Sequence, residues 1–379
     1  MSLAAPEAWL NPLLATLHEA QVLLGALADR LGLAGSSHGQ PAWPWARRVA
    51  TETLAIDRGL ARRLGLALIA SSAALILALA ALLARRARLP LAALALACAW
   101  LAPWPPTALW LTAATPTSFQ RSPLPFSVDT LAHGASLYAQ HCLACHGASG
   151  RGDGPRADSL PVWPPTLAGP LLARRLDGEL FQHVASGMRD RQGAVTMPAF
   201  GASLDDREIW ATLAYLRVLS AAGGGASGEG WPVPLAQWRS GQRVRLVALD
   251  AAAPPPFEDA RWQTLLLTRD GQPPAPPRDG AHGPRASCTA IAPDAWRIFA
   301  TIANRAPDAF AGTELIADRG GWLRAVAAPG TRWSDANLMC GATSTTAARE
   351  SRTSAGGIDT LLARIDAEPV ADIEGGYTH

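Results

Sequence analysis

The feature that most restricts the fold of this chain is an uncharged apolar run of 21 residues, from Leu64 to Ala84. At about 1.5 Å per residue, a helix of this length crosses the roughly 30 Å hydrocarbon core of a bilayer. A soluble core would have to cover the helix on every side. The run therefore predicts a transmembrane helix.

A second uncharged run follows a basic break at Arg85–Arg88 and lasts until Arg121. Three tryptophans towards its far end are typical of the aromatic belt at a membrane interface. Prolines 103, 105 and 106 bend or end a helix, so the second span either stops near Leu101 or continues with a kink to about Ala114. The two runs together predict a membrane helical hairpin.

An amphipathic helix is predicted before the hairpin, over residues 9–33. Leucines lie along one of its faces: Leu10, Leu13, Leu14, Leu17, Leu24, Leu27 and Leu31. Its charged residues make it a poor membrane span, and His18 is expected on the polar face. We expect an interfacial helix, or one packed on the hairpin.

The composition argues against one class of partner. Charged residues make up 17% of the chain, and the net charge is +2. Without a basic stretch, electrostatics gives no reason to expect nucleic-acid binding.

The most informative motif is Cys-Leu-Ala-Cys-His at residues 142–146. Two cysteines three apart, followed at once by histidine, form the attachment pattern of c-type haem. On one helical turn both thiols project to the same face, where they can add to the haem vinyl groups. The motif predicts one covalent haem c held by Cys142 and Cys145, with His146 as the proximal iron ligand.

Two other functions of this motif stay open. A structural zinc site needs a second ligand pair, and no second CxxC or HxxxH follows nearby. A thioredoxin-type dithiol opens a helix after a buried strand, whereas a helical pattern precedes Cys142. Residues 150–155, GRGDGP, lack the lysine of a phosphate-binding loop and are predicted to be a turn.

An electron-carrying haem needs a sixth iron ligand, and a thioether there raises the reduction potential. The downstream candidates are Met188, Met197 and His183. Met197 precedes a proline that restricts the loop backbone, and this favours Met197 as the ligand.

With its flanks, the motif resembles a class I cytochrome c over about residues 126–219. The segment GASLYAQHCLACHG is similar to the N-terminal helix and haem site of that family, with Gly134 and Tyr138 where this helix crosses the last one. PPTLAG resembles the family's proline loop, which implies that the Pro165 carbonyl accepts the proton of the proximal imidazole.

SLDDREIWATLAYLRVL is similar to the C-terminal helix of the same family, with Trp210, Tyr215 and Leu216 as its packing face. From the residues alone, Ser203 and Asp206 are predicted to be its N-cap and first-turn acid. The family resemblance implies an all-α haem domain.

The membrane part resembles the junction in proteins that fuse a copper-resistance D-type membrane domain to a cytochrome c. In those relatives more membrane helices come first, which implies that this chain holds the tail of that domain. At the other end, ELIADRGGWLRA is similar to the closing hairpin of a thioredoxin-like domain, but no CxxC is present there. Cys288 and Cys340 are either a structural disulfide or isolated thiols.

The predicted fold class is therefore multidomain: a membrane helical hairpin, an all-α class I cytochrome c domain, and an α/β, degenerate thioredoxin-like domain. The predicted boundaries are a helical or interfacial segment at 1–60, two transmembrane helices at 61–118, the cytochrome c domain at 119–222, a flexible linker at 223–230 and the α/β domain at 231–379. A Pro/Ser linker is expected at 115–127.

The expected function is that of a membrane-anchored electron carrier, not an enzyme, in the bacterial inner membrane. The resemblance implies that the haem and C-terminal domains are periplasmic, with an unidentified redox partner protein. This orientation leaves Arg47, Arg48, Arg58, Arg62 and Arg63 outside, against the positive-inside rule. The alternative is a copper-handling or assembly protein in which the haem domain is accessory.

Overall fold

The computed structural model describes residues 9–84, 86–168, 172, 175–223, 231–232, 243–249, 262–269, 288–290, 293–319, 322–331, 333, 357–367, 371–373 and 376–378. It divides into two compact units. The first contains residues 1–121, 174–182 and 372–378, and the second contains residues 122–173, 183–371 and 379.

The helices are α1 (Leu10–Arg30), α2 (Thr51–Ile56), α3 (Arg58–Leu83), α4 (Arg88–Leu101), α5 (Thr107–Trp110), α6 (Val128–His141), α7 (Leu143–His146), α8 (Asp177–Ser186), α9 (Asp206–Gly223), α10 (Pro293–Ile302) and α11 (Ile358–Ala367). The strands are β1 (Ser36–Ser37), β2 (Gln40–Pro41), β3 (Arg47–Val49), β4 (Leu111–Ala113), β5 (Met188–Arg189), β6 (Val195–Met197), β7 (Trp231–Pro232), β8 (Arg243–Leu249), β9 (Trp262–Thr268), β10 (Cys288–Ala290), β11 (Glu314–Ala317), β12 (Trp322–Ala327), β13 (Ala371–Ile373) and β14 (Gly376–Thr378).

The predicted amphipathic helix is present as α1, and its first half is packed. Leu10 and Leu14 lie in a buried cluster with Leu54, Leu60 and Leu64 from α2 and α3. Leu24, Leu27 and Leu31, further along α1, are exposed. The expectation for His18 was wrong: it is buried, its Nδ1 lies 3.3 Å from the Thr51 hydroxyl, and burial lowers its pKa.

The two apolar runs form a pair of packed helices, α3 and α4. Only one helix, Gly59–Leu83 within α3, is long and apolar enough to cross a membrane among the described residues. Of the two helices predicted to span the membrane, one has the length and apolar composition to do so, and the membrane insertion of both stays a prediction. α4 has 14 residues, or about 21 Å of helix, and ends at Leu101, just before the prolines that cannot continue it.

After α4, the chain nevertheless returns to the end of the helix pair at which α3 begins. β3, which precedes α3, pairs antiparallel with β4, which follows α4, with Arg48 opposite Thr112. Beside this pair, the rings of Trp104 and Trp110 stack with centroids 5.7 Å apart. The segment that leads into α3 and the segment that follows α4 therefore lie at the same end of the helix pair.

The predicted Pro/Ser linker is ordered in its first half. Thr117, Ser118 and Gln120 are buried in the first unit. The Thr117 hydroxyl donates to the Gly178 carbonyl at 2.5 Å, and the Gln120 amide donates to the Ser37 carbonyl at 2.6 Å. Short polar side chains in this segment satisfy buried backbone groups, and composition alone does not distinguish this use from a solvated loop.

A buried ion cluster holds the first unit together. The Arg48 guanidinium donates to Glu52 at 2.6 and 2.9 Å and to Glu179 at 2.6 Å, and all three side chains are buried. Burial by itself would lower the pKa of Arg48, but its hydrogen bonds to the two carboxylates outweigh this effect and raise the pKa. Arg48 is thus not a free positive charge.

The second unit contains the predicted crossing of α6 and α9. Gly134 lies so close to α9 that an added Cβ would overlap the Ala211 carbonyl oxygen. Below this contact the rings of Tyr138 and Tyr215 are 5.6 Å apart, and Trp210 and Leu216 are buried. The predicted packing positions are confirmed.

The predicted N-cap of α9 was wrong. The Ser203 hydroxyl donates to the Phe200 carbonyl instead. The Asp205 carboxylate accepts from the Glu208 backbone N–H at 2.8 Å, and Glu208 accepts from the Asp205 N–H at 2.9 Å. This reciprocal pair is a capping box, which the spacing Asp-x-x-Glu could have shown.

The C-terminal region contains a six-stranded mixed sheet of order β10-β9-β8-β11-β12-β7. β8, β9 and β10 run parallel, whereas β11 pairs antiparallel with β8 and β12. The predicted closing hairpin is present as β11–β12, and the helix α10 contacts α6, α9 and β9. Cys340 and the side chain of Cys288 lie outside the described residues, so their pairing stays a prediction, as does the thioredoxin-like assignment.

We predict that Gly134→Ala destabilises the haem domain. A methyl group normally stabilises a helix, but here it must displace the backbone of α9, so we expect a loss of about 1–3 kcal/mol. Urea unfolding followed by tryptophan fluorescence measures the change. Gly35→Ala, where an added Cβ meets nothing within 4 Å, is the control; equal effects of the two variants would contradict the close approach.

We also predict that Arg48→Ala destabilises the first unit by about 3–5 kcal/mol, because it leaves two buried carboxylates without their cation. Chemical denaturation in detergent measures the loss. The control is Arg121→Ala, whose partner Glu19 is 3.9 Å away with both side chains about half exposed; we expect a change within about 0.5 kcal/mol. A small effect of Arg48→Ala would show that the cluster does not stabilise the unit.

Candidate haem site

The CxxCH motif forms a single helical turn. α6 ends at His141, Cys142 caps it, and α7 continues to His146. The backbone N–H groups of Cys145 and His146 donate to the Cys142 carbonyl at 3.1 and 2.9 Å. Both thiols therefore project from one side of the turn, as predicted.

The two cysteines are free, half-buried thiols. Burial, with a smaller contribution from the neighbouring Cys145, raises the pKa of Cys142 to about 11. A reactive dithiol needs the opposite, a lowered pKa that supplies thiolate at neutral pH. The electrostatics of the pair thus disfavour a disulfide oxidoreductase.

The glycine-rich segment after His146 folds back on the turn. The N–H groups of Gly152 and Gly154 donate to the carbonyls of His146 and Cys145 at 2.9 and 3.2 Å. An added Cβ at Gly154 would lie 2.5 Å from the Ala144 carbonyl oxygen, so only glycine allows this approach. The segment is the predicted turn, and its backbone donors are used within the motif.

Tyr138 connects α6 to this turn, which the sequence analysis did not foresee. Its buried hydroxyl donates to the Gly147 carbonyl at 2.6 Å. Burial raises its pKa, with smaller contributions from Cys142, Tyr215 and Asp153, so the hydroxyl keeps its proton. A tyrosine one helical turn before a CxxCH motif is the signal that could have indicated this bond.

The His146 ring is held as a neutral imidazole. Burial lowers its pKa, and the Pro165 backbone, which can only accept, raises it by a smaller amount. The contact with the Pro165 carbonyl falls short of a full hydrogen bond, since Nδ1 is buried without a hydrogen-bond partner among the described residues. Pro165 thus lies where the resemblance implied, and its role as acceptor stays a prediction.

These residues fit a haem. With Nδ1 of the imidazole beside the Pro165 backbone, Nε2 is the ring nitrogen left to bind a metal. A neutral histidine ring is also the form that binds a metal. Two free thiols on the same turn supply the remaining chemistry of the attachment pattern.

Met197 lies on a short hairpin, β5–β6, at the end of α8. It is half-buried, while Met188, its partner in the pairing, is 42% exposed. His183 is half-buried on α8 itself. The structure thus brings all three candidate ligands onto one helix and the hairpin that follows it.

Gly187 fixes the base of this hairpin. Its φ is +69°, and an added Cβ would lie 2.6 Å from the Met197 carbonyl oxygen and 2.7 Å from the Ala199 nitrogen. The N–H groups of Phe200 and Gly201 donate back to α8, to Val184 and Ala185, both at 3.0 Å. The segment after Met197 is therefore held against the end of α8.

Other metal-ligating clusters bear on the copper-handling alternative. In the part of the chain that the structure describes, no group of three or more His, Cys, Asp or Glu could hold a metal ion. Met339 and Cys340, which lie next to each other in the sequence, are outside the described residues.

Comparison with known proteins agrees with this site. Residues 129–216 match the model of the family described as cytochrome c oxidase, cbb3-type, subunit III. These residues form a class I c-type cytochrome domain, which implies haem c and indicates haem-based electron transfer. The match covers a minority of the chain.

Among solved structures, the chain is similar to one from a reducing HAO-like protein complex of Kuenenia stuttgartiensis. The identity is 26%, over 26% of this chain and 46% of that chain, with a TM-score of 0.22. The chain thus spans less than half of that relative, and the likeness is too low to support an argument about fold. No curated protein matches the chain.

We predict that Tyr138→Phe destabilises the haem domain by about 0.5–1.5 kcal/mol, because the buried Gly147 carbonyl loses its shorter hydrogen bond and keeps only the one from the Gly150 N–H at 3.2 Å. Urea unfolding gives the difference. The control is Tyr215→Phe, since the Tyr215 hydroxyl makes no hydrogen bond within the described residues. Equal losses in the two variants would show that the hydroxyl of Tyr138 has no special role.

Proposed function

We propose that the protein is a membrane-anchored periplasmic electron carrier with one covalent haem c. The observation that carries the proposal is the CxxCH turn, with two free thiols on one side and a half-buried, neutral His146. Cys142 and Cys145 would hold the haem, and His146 and Met197 would ligate its iron. When bound, the haem supplies one-electron redox chemistry.

The residues of the chain serve to tune and shield this group. Burial keeps His146 neutral, and the Pro165 carbonyl is placed to hold the ring in one orientation. The segment after Met197 is bonded to α8, which limits the movement of the thioether. Little rearrangement between oxidation states is what an electron carrier requires, so this rigidity favours transfer over substrate chemistry.

The membrane anchor rests on α3. The apolar part of this helix has 25 residues and is about 37 Å long. Only 11% of its most apolar segment is buried within the protein. Trp100 is exposed at the end of α4, and Trp104 and Trp110 stack nearby, as expected of an interfacial belt.

The orientation follows from the β3–β4 pairing. Because the chain returns to the side from which α3 starts, the segments before α3 and after α4 share one side of the membrane. Haem attachment of this type, as the cytochrome c resemblance implies, places that side in the periplasm. Arg48 is one of the five arginines that argued against this orientation. Because Glu52 and Glu179 neutralise it, the conflict with the positive-inside rule is weaker.

A periplasmic redox partner protein is part of the proposal. The matched family is described as a subunit of cytochrome c oxidase, so that protein works within an oxidase. For this chain we propose only that the haem exchanges electrons with another protein.

The test is a pyridine haemochrome spectrum of membranes from cells that express the full chain with haem c maturation, after acid-acetone extraction of loose haem. We expect a c-type spectrum that survives extraction and is lost in Cys142→Ala/Cys145→Ala. Cys98→Ala, which removes the free cysteine of α4, is the control and keeps the haem. A folded, membrane-inserted protein without covalent haem would refute the proposed function.

A further inference from the structure

Two methionines face each other on the β5–β6 hairpin. Met188 and Met197 are direct partners in the antiparallel pairing. Side chains of directly opposite residues leave the same face of a ladder, with Cβ atoms about 4.5–5.5 Å apart. The hairpin therefore presents two thioethers together.

A β-bulge produces this arrangement. Arg189 pairs with Val195, so regular pairing would place Thr196 opposite Met188. The register shifts by one residue at this point, and Met197 takes the position instead. One extra residue in a strand re-aims the side chain that follows it, a recurrent use of bulges beside functional sites.

The turn of the hairpin fixes this register. The Asp190 carboxylate accepts from the N–H groups of Gln192 and Ala194 at 2.9 and 2.8 Å, and the Asp190 N–H donates to the Ala194 carbonyl at 2.9 Å. Arg189 adds a bond from its guanidinium to the Gly193 carbonyl at 2.9 Å. With Gly187 fixed at the other end, the pairing of the two methionines is determined at both ends of the hairpin.

The side chain of Met188 is exposed, whereas that of Met197 is half-buried. The Met188 side chain is 42% exposed, and a methionine has three rotatable bonds and a polarisable sulfur. Its Cα is nevertheless held by the ladder opposite Met197. The Met188 thioether can therefore change its direction while its backbone stays opposite Met197.

We infer that Met188 is a reserve thioether ligand for the haem iron, able to replace Met197. The inference rests on the proposed function, in which Met197 is the first choice. The exchange breaks one iron–sulfur bond and forms another of the same kind, and it transfers no electron or proton. The chain would thus keep its iron six-coordinate when the Met197 sulfur is lost or oxidised.

The test uses the haem-loaded full chain and leucine substitutions, which keep the side-chain volume and remove the sulfur. Met188→Leu, Met197→Leu and the double variant are compared with the parent by the charge-transfer band of sulfur-ligated ferric haem and by carbon monoxide titration of the ferrous form. A haem content per protein equal to that of the parent shows that each variant is assembled. If Met197→Leu does not accumulate, Met197→Ala is used in its place.

We expect Met197→Leu to keep the sulfur band and Met188→Leu to match the parent, while the double variant loses the band and binds carbon monoxide. If Met188 occupies the iron about nine-tenths of the time, carbon monoxide binds Met197→Leu about tenfold more weakly than it binds the double variant. Identical behaviour of Met197→Leu and the double variant would overturn the inference and leave the proposed function intact.

Two further outcomes concern the proposed function itself. Loss of the band in Met188→Leu alone would make Met188 the first ligand, so both the assignment of Met197 and the reserve role would be wrong. A double variant with the parent spectrum would show that neither methionine binds the iron, which overturns both, although covalent attachment at Cys142 and Cys145 would stand.

Discussion

The contact on which the haem domain depends is the crossing of α6 and α9 at Gly134. The helices meet so closely there that the Ala211 carbonyl occupies the space of a side chain. One turn further along α6, Tyr138 packs on Tyr215 and bonds to the Gly147 carbonyl, and the CxxCH turn begins after His141. The position of the two thiols and His146 is thus set by a helix-helix contact that contains no catalytic or ligating group.

The first unit depends on a different interaction, the ion cluster around Arg48. Moving one guanidinium and two carboxylates from water into the protein interior costs free energy. Removing one of the three afterwards is strongly destabilising, because it leaves a buried charge without its partner. Both carboxylates lie in the first turn of a helix, where the helix dipole favours negative charge. The cluster therefore specifies where α2 and the start of α8 lie, and it does so beside β3, the strand that brings the α3–α4 pair back to its starting side.

The β5–β6 hairpin shows how a small irregularity changes which side chains lie opposite each other. A regular ladder would place the Thr196 hydroxyl opposite Met188, whereas the bulge places a thioether there. Sequence spacing identifies the methionines but not the register, because one inserted residue reverses the direction of every side chain after it. The proposed ligand Met197 could be selected from the sequence, whereas the residue opposite it could not.

Local chemistry was predictable from the sequence. The apolar run of α3, the CxxCH turn, the glycine-rich turn after it and the β11–β12 hairpin each depend on residues close together in the chain, so their patterns are legible there. The burial of His18, the Arg48–Glu179 pair, the bond from Tyr138 to Gly147 and the order of the segment at Thr117 were not foreseen. Arg48 and Glu179 show the reason: they are 131 positions apart, and the energy of their contact depends on burial, which only the tertiary structure decides. The sequence by itself determined that this chain contains a CxxCH turn and a long apolar helix, because each is a local pattern; the tertiary structure decided which polar groups are buried together and which residue lies opposite Met188.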